Sequence, residues 1–281
     1  MSSPHSLRLD AHQHFWRYDA AAYPWIGRDM SGLRQDFTPD DLRPLLDAGG
    51  FDGCIAVQAR ACASETDQLL QLAQHYPWIR AVVGWVDLCA RDLEPSLERW
   101  AQAPVLRGFR HQLQDESSPA DFMQSSEFQR GLATLQRRGL VYEVLVKGRD
   151  LGAVTTLCQQ HDRHHLVLDH LGKPDVQAAD LTAWAKQLEP LAALPHVSCK
   201  LSGLITEAHW QDWHSEQLTP YLHTALELFG AERLMFGSDW PVCLLASDYE
   251  ATRALVASVS QHAAIWGGTA CRVYNIEGVT Q

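Results

Sequence analysis

Short apolar runs rich in β-branched residues alternate along the chain with longer stretches in which apolar positions recur at intervals of three and four. The first pattern is that of a strand buried on both faces; the second is that of an amphipathic helix with one face on a core. Strands are predicted over Leu7–His12, Gly53–Gln58, Ala81–Val86, Leu106–His111, Val141–Val146, Leu166–His170, Val197–Leu201 and Leu234–Ser238. Helices are predicted over Thr38–Ala48, Glu65–His75, Leu93–Gln102, Ser126–Arg138, Leu151–His161, Leu181–Leu194, Leu218–Phe229 and Tyr249–His262. A regular alternation of this length, without a repeat or a low-complexity linker, predicts one α/β domain over residues 1–281, a (β/α)8 TIM barrel. An open doubly wound sheet would usually carry a glycine-rich turn after its first strand, and His12-Gln13-His14 stands there instead. The longest irregular stretch, Phe15 to Phe37, follows that strand and is expected to lie over the barrel mouth.

Composition narrows the partners. The net charge of −11 repels phosphate backbones, so nucleic acid is excluded as a partner and a small molecule is expected. No apolar stretch approaches the roughly 20 residues of a membrane span, and no signal-like segment opens the chain, so a soluble cytoplasmic protein is expected. The seven cysteines contain no CxxC pair and several fall within strand-like runs, which reads as reduced thiols, not a disulfide frame.

In a barrel the chemistry gathers where strands run into the loops that follow them. His12 and His14, two residues apart on one strand, face the same way and suit one divalent ion, which an aspartate from a distant strand, Asp239, can complete or serve as base. The other strand ends carry Gln58, Arg60, Asp87, Arg110, His111, Glu143, Lys147, Asp169, His170, Lys200 and Ser238. So many ionisable groups at the ends of apolar runs are costly to bury unless they converge on a pocket. Arg60 and Arg110 are read either as contacts to substrate hydroxyls and carboxylate or as ties between strands, and Gln58 and Lys173 are further candidates for hydroxyls. Trp16 and Trp25 can offer a flat apolar face to a sugar ring, although in a chain with 10 tryptophans core packing accounts for most of them.

Four segments, DAHQHFW (Asp10–Trp16), GFRH (Gly108–His111), DHLGKP (Asp169–Pro174) and FGSDWPVC (Phe236–Cys243), resemble the amidohydrolase superfamily. More narrowly they resemble the sugar lactonases of its amidohydrolase-2 group, over about Leu7 to Asn275. The resemblance implies a barrel that opens a sugar lactone such as L-fuconolactone or L-rhamnonolactone in sugar-acid catabolism. It implies metal-ligand roles for His12 and His14, proton handling on the attacking water for Asp239, and a place in the pocket for His170. Many amidohydrolases carry a strand-four lysine and a strand-five histidine where this chain has Arg110 and His111, and Glu143. That departure speaks against two metals and leaves one Zn²⁺ on His12, His14 and Asp239, with Glu143 as a further oxygen ligand. Charge on the carbonyl oxygen would be met by the metal, Arg110 or His111, and without a metal by Arg110 and His170. A decarboxylase of the same superfamily and, behind it, a barrel-type nuclease are the competing activities.

Overall fold

The computed structural model describes residues 7–277. Eight parallel strands follow one another in sequence order around one sheet: β1 (Leu9–Gln13), β2 (Gly53–Val57), β3 (Ile79–Gly84), β4 (Leu106–His111), β5 (Val141–Val144), β6 (Leu166–Leu168), β7 (Val197–Leu201) and β8 (Leu234–Phe236). The last strand meets the first through the Asp239 N–H, which donates to the His12 carbonyl at 2.8 Å, and the His14 N–H, which donates to the Trp240 carbonyl at 2.7 Å. The barrel predicted from the alternation is therefore present, and the open sheet is not.

Helices α1 (Pro39–Gly49), α2 (Ala63–His75), α3 (Leu93–Glu98), α4 (Pro119–Gln124), α5 (Ser126–Arg137), α6 (Leu151–Gln160), α7 (Leu181–Ala192), α8 (Ser215–Phe229), α9 (Tyr249–Val259) and α10 (Thr269–Val273) accompany the strands. Local chemistry fixes their ends. Thr38 and Asp41 form a capping box ahead of α1, Pro39 stands where no N–H is needed, and Gly50 stops the helix in the left-handed region at φ 70°. Asp180 and Asp248 cap α7 and α9 by accepting from Ala183 N–H and Ala251 N–H at 2.9 and 2.7 Å. The periodic pattern missed α4 and α10, which are too short to establish a period. β6 and β8 stop short of their predicted ends because the chain leaves the ladder at Asp169 and after Phe236.

The buried side chains fall into two shells. The larger fills the space between sheet and helices, with Phe109, Phe128, Leu132, Tyr142, Leu166 and Phe236 among its members. The smaller lies inside the barrel, where Leu9, Ile55, Ala81, Val141, Val167 and Met235 meet Ala270, Val273 and Tyr274 of the C-terminal segment. That segment plugs one end, and the interior narrows the functional space to the other. All seven cysteines are free thiols, four of them buried. Among the described residues no helix is long and apolar enough to cross a membrane.

Candidate active site

β1 does not keep its alternation. Leu9 and Ala11 both join the interior cluster, and the register against β2 shifts between Asp10 and Gln13, a bulge that turns His12 to the interior as well. Asp10 holds this stretch: its Oδ1 accepts from the N–H groups of His12 and Ser238 at 3.1 and 2.9 Å, and its Oδ2 accepts from the Tyr249 hydroxyl at 3.1 Å. Burial raises the Asp10 carboxyl to about 6 in spite of these donors. The clamp joins β1 to the turn after β8, so that His12 and Asp239, 227 positions apart in sequence, become neighbours.

Three donor atoms converge there. His12 Nε2 and His14 Nε2 are 3.2 Å apart, and Asp239 Oδ1 is 3.3 Å from His14 Nε2 and 3.7 Å from His12 Nε2. A tetrahedral zinc with bonds of about 2.0–2.1 Å requires ligand atoms separated by about 3.3–3.4 Å, so the donor set and its spacing fit one such ion. His14 Nδ1–H donates to the Val57 carbonyl at 2.8 Å, which leaves Nε2 with its lone pair toward the shared point. Burial and then the Lys200 ammonium hold His12 well below the usual histidine range, and neutral imidazole is the form that ligates. Asp239 is drawn below its ordinary value: burial opposes ionisation, but His170, His14 and Lys173 outweigh it.

His170 completes this floor. It follows β6 in a left-handed turn at φ 53°, and Asp239 likewise has φ 56°, conformations that side-chain-bearing residues adopt at a cost and that cluster at functional sites. Its Nε2 stands 4.0 Å from Asp239 Oδ1, and its Nδ1 is 2.8 Å from Ser202 Oγ. Gly203 makes room, since a Cβ there would meet His170 Nδ1 at 2.5 Å. Burial lowers the His170 pKa, so the ring is neutral.

Above the floor opens a cavity of ≈ 280 Å³, reached by His14, Arg110, His170, Lys173 and Asp239 and walled by Trp25, Met30, Gln114, Glu207 and Trp210. Trp25 and Met30 come from the stretch after β1, which forms a side wall and is tied at its base by mutual backbone bonds between Trp16 and Phe37 at 3.0 and 2.8 Å.

Several predicted site residues lie elsewhere. Glu143 is not brought to the metal-ligand set: its Oε1 is 2.6 Å from Lys200 Nζ and accepts from the Tyr274 hydroxyl at 2.5 Å, deep in the barrel. Lys200 also reaches Asp169 Oδ1 at 3.3 Å and His12 Nδ1 at 3.1 Å, so the lysine whose direction was open in the sequence points inward and claims that carboxylate. Burial and the Asp169 charge raise Glu143 to about 7, whereas Lys200, His12 and Arg110 overcome burial to hold Asp169 well below the carboxylate range. His111 is outside the cavity, accepting from Trp85 Nε1 at 3.1 Å and facing Glu116 at 2.7 Å, with its ring stacked on Phe122. Gln58 is sealed beneath Arg110 as its support, accepting from Arg110 Nη2 at 3.2 Å. Arg110 is thus both a tie and a lining group: it bonds Asp169 Oδ2 at 3.0 Å and still borders the cavity. Arg60 and Trp16 line a different cavity of ≈ 700 Å³, together with Tyr23 and Glu65. Ser202, Gln112 and Gln114 directly follow strands and were within reach of the strand-end argument; Trp210 carried no signal of its own.

Comparison with known proteins bears on this arrangement. The amidohydrolase family profile matches residues 9–276. The L-fucono-1,5-lactonase of Burkholderia multivorans is 50% identical over 288 residues, covering 96% of both chains. The L-fucono-1,5-lactonase of Burkholderia ambifaria is 34% identical over 284 residues, covering 97% of both. A crystal structure of an amidohydrolase from Burkholderia multivorans with bound zinc superposes with a TM-score of 0.94 at 49% identity, over 97% of this chain and 100% of that one.

Proposed function

The chain belongs to the amidohydrolase family, and we propose that it is a lactonase that opens L-fucono-1,5-lactone, or an aldonolactone of closely similar configuration, to the free sugar acid. The observation that carries this reading is the convergence of His12, His14 and Asp239 beneath one cavity in a chain half-identical to such a lactonase. The same convergence supports one Zn²⁺ held by those three residues. When bound, a divalent ion there supplies a Lewis acid for the ester carbonyl and brings the pKa of water toward 7.

The chain's own residues do the rest. Asp239, ionised and facing the cavity, takes a proton from water as the water oxygen forms its bond to the carbonyl carbon. Arg110, fixed by Asp169 and Gln58, offers a stationary positive charge to the oxygen on which negative charge develops. When the ring C–O bond breaks, the departing ring oxygen needs a proton. Asp239, which took a proton from the water, returns it to that oxygen, while His170, neutral and held by Ser202 at Nδ1, lies 4.0 Å from Asp239 Oδ1 and keeps the carboxyl facing the cavity. Water and lactone are consumed, the hydroxy acid is released, and the residues return to their starting protonation. Ester hydrolysis, not decarboxylation, uses this one group first as base and then as acid.

The test is hydrolysis of L-fucono-1,5-lactone followed against its spontaneous opening, with metal content measured on the same preparation. We expect strong acceleration, about one zinc per chain, and loss of both in His14→Ala. No acceleration on any aldonolactone would overturn the lactonase reading, and full activity at negligible metal content would overturn the zinc.

A further inference from the structure

The loop of residues 15–37, which gives Trp25 and Met30 to the wall of the catalytic cavity, is bound almost entirely to itself. Trp16 and Phe37 exchange backbone bonds, Asp36 accepts from the Tyr18 N–H at 2.8 Å, Arg34 donates to the Ile26 carbonyl at 3.1 Å, and Asp19 accepts from the N–H groups of Ala21 and Ala22 at 2.9 Å. Among the described residues a single hydrogen bond leaves the loop, from the Tyr23 hydroxyl to Glu65 Oε1 at 3.3 Å. Glu65 stands in the first turn of α2, and its other oxygen, Oε2, accepts from the N–H groups of Ala59 and Arg60 in the turn after β2 at 2.9 and 3.0 Å. Ala59 lines the same cavity. One buried carboxyl group thus touches two of the segments that wall the site. The Arg60 guanidinium closes the cluster, 5.4 Å over the Tyr23 ring and with Nε 4.0 Å from Glu65 Oε1.

A carboxyl group is costly to bury unless its oxygens take hydrogen-bond donors. An apolar side chain in this place would avoid that cost but could not accept from both segments at once. We infer that Glu65 is the positioning residue of the cavity wall: Oε2 fixes the turn after β2 and Oε1, through Tyr23, fixes the loop after β1, so that Ala59, Trp25 and Met30 keep their places around the bound substrate. That substrate is the lactone of the reading above, on which the kinetic consequence rests, whereas the tie stands on the contacts alone. Neither Glu65 nor Tyr23 touches the floor of His14, His170 and Asp239 through any hydrogen bond or ion pair. Loss of the tie is therefore expected to loosen the wall and weaken binding while the chemical step at the floor stays nearly unchanged.

The experiment compares wild type, Glu65→Leu, Glu65→Gln and Tyr23→Phe by steady-state kinetics on L-fucono-1,5-lactone and by hydrogen–deuterium exchange. Peptides covering the loop 15–37 and the turn 58–61 are read against those of the barrel strands. Glu65→Leu removes both ties, so KM is expected to rise about 10-fold with kcat within about threefold, and amides of both segments to exchange about 10- to 100-fold faster. Tyr23→Phe removes only the hydroxyl, and exchange is expected to rise about 3- to 10-fold in the loop and not in the turn. Glu65→Gln keeps an oxygen for the two N–H groups and offers its amide to the Tyr23 oxygen, so both readouts are expected within about twofold of wild type. The assignment is overturned by a folded Glu65→Leu with wild-type loop exchange or wild-type KM, by faster exchange spread evenly over the barrel, or by a Glu65→Gln that behaves like Glu65→Leu. If Glu65→Leu does not fold, Tyr23→Phe decides: acceleration confined to the loop supports the tie and wild-type exchange overturns it. Wild type that opens no aldonolactone would overturn the lactonase reading, and loop exchange would then decide the tie by the same two outcomes.

Discussion

Two groups of ionisable side chains share the barrel interior and meet at His12. One is sealed: Lys200, Glu143 and Asp169 are buried and take one another as partners, with Lys200 touching two carboxylates at 2.6 and 3.3 Å, while Arg110 reaches from Asp169 to the cavity. The other is His14, His170 and Asp239, buried as side chains but bordering a cavity. The sealed group is neutralised by the protein; the open group is left to be completed by what enters. The first arrangement holds the barrel interior and the second performs chemistry, although the residue types are much the same. The difference teaches that a buried charge is a functional group only when its remaining valence points at space.

The sharpest way to break the comparison is Asp239→Asn. The amide keeps the shape and cannot act as base, so kcat is expected to fall by about 10³-fold while the melting temperature stays close to wild type. Turnover within a few-fold of wild type would remove Asp239 from the proposed mechanism. Lys200→Met tests the sealed side. It leaves two buried carboxylates facing an apolar chain, and urea unfolding is expected to show a loss of about 3–5 kcal/mol. If Asp239→Asn destabilises the fold as much as Lys200→Met, the division between the two groups fails.

A smaller effect sharpens the same point from outside both groups. Glu65, almost wholly buried under the loop after β1, accepts from the N–H groups of Ala59 and Arg60 at 2.9 and 3.0 Å, and burial raises it to about 7. A carboxyl whose folded pKa exceeds its unfolded value near 4.5 stabilises the fold below pH 4.5, and that contribution is lost as pH rises through 7. Glu65→Gln keeps an acceptor and cannot ionise. The stability of wild type relative to this variant is therefore expected to fall by on the order of 2 kcal/mol between pH 4.5 and 8. A flat difference across that range would show that burial at this position is relieved by other means.

The fold was legible because a buried parallel strand and an amphipathic helix leave their periods in the chain, and eight alternations admit few topologies. The strand-end argument names His12, His14, Arg110, His170 and Asp239, and all but His12, which lies beneath, border the cavity, as does Lys173, a candidate for substrate hydroxyls. It failed where the fate of a strand-end residue depends on what stands opposite. Glu143 qualified as a ligand by position and was taken by Lys200 and Tyr274, residues 57 and 131 positions further along. His111 qualified and was turned to Trp85 and Glu116. Gln58 qualified and became the seat of Arg110.

What the sequence determined by itself is the sequence of elements, their parallel order and the set of residues that can meet at one end of the barrel, because these follow from local periodicity and from handed, short connections. Which of those residues keep a free valence was decided by tertiary structure alone. The bulge that turns His12 inward, the left-handed turns that present His170 and Asp239, and the pairing that removes Glu143 all depend on contacts between strands distant in sequence. Such contacts are set by side-chain volume and charge across the closed interior, and a one-dimensional pattern carries no record of who faces whom.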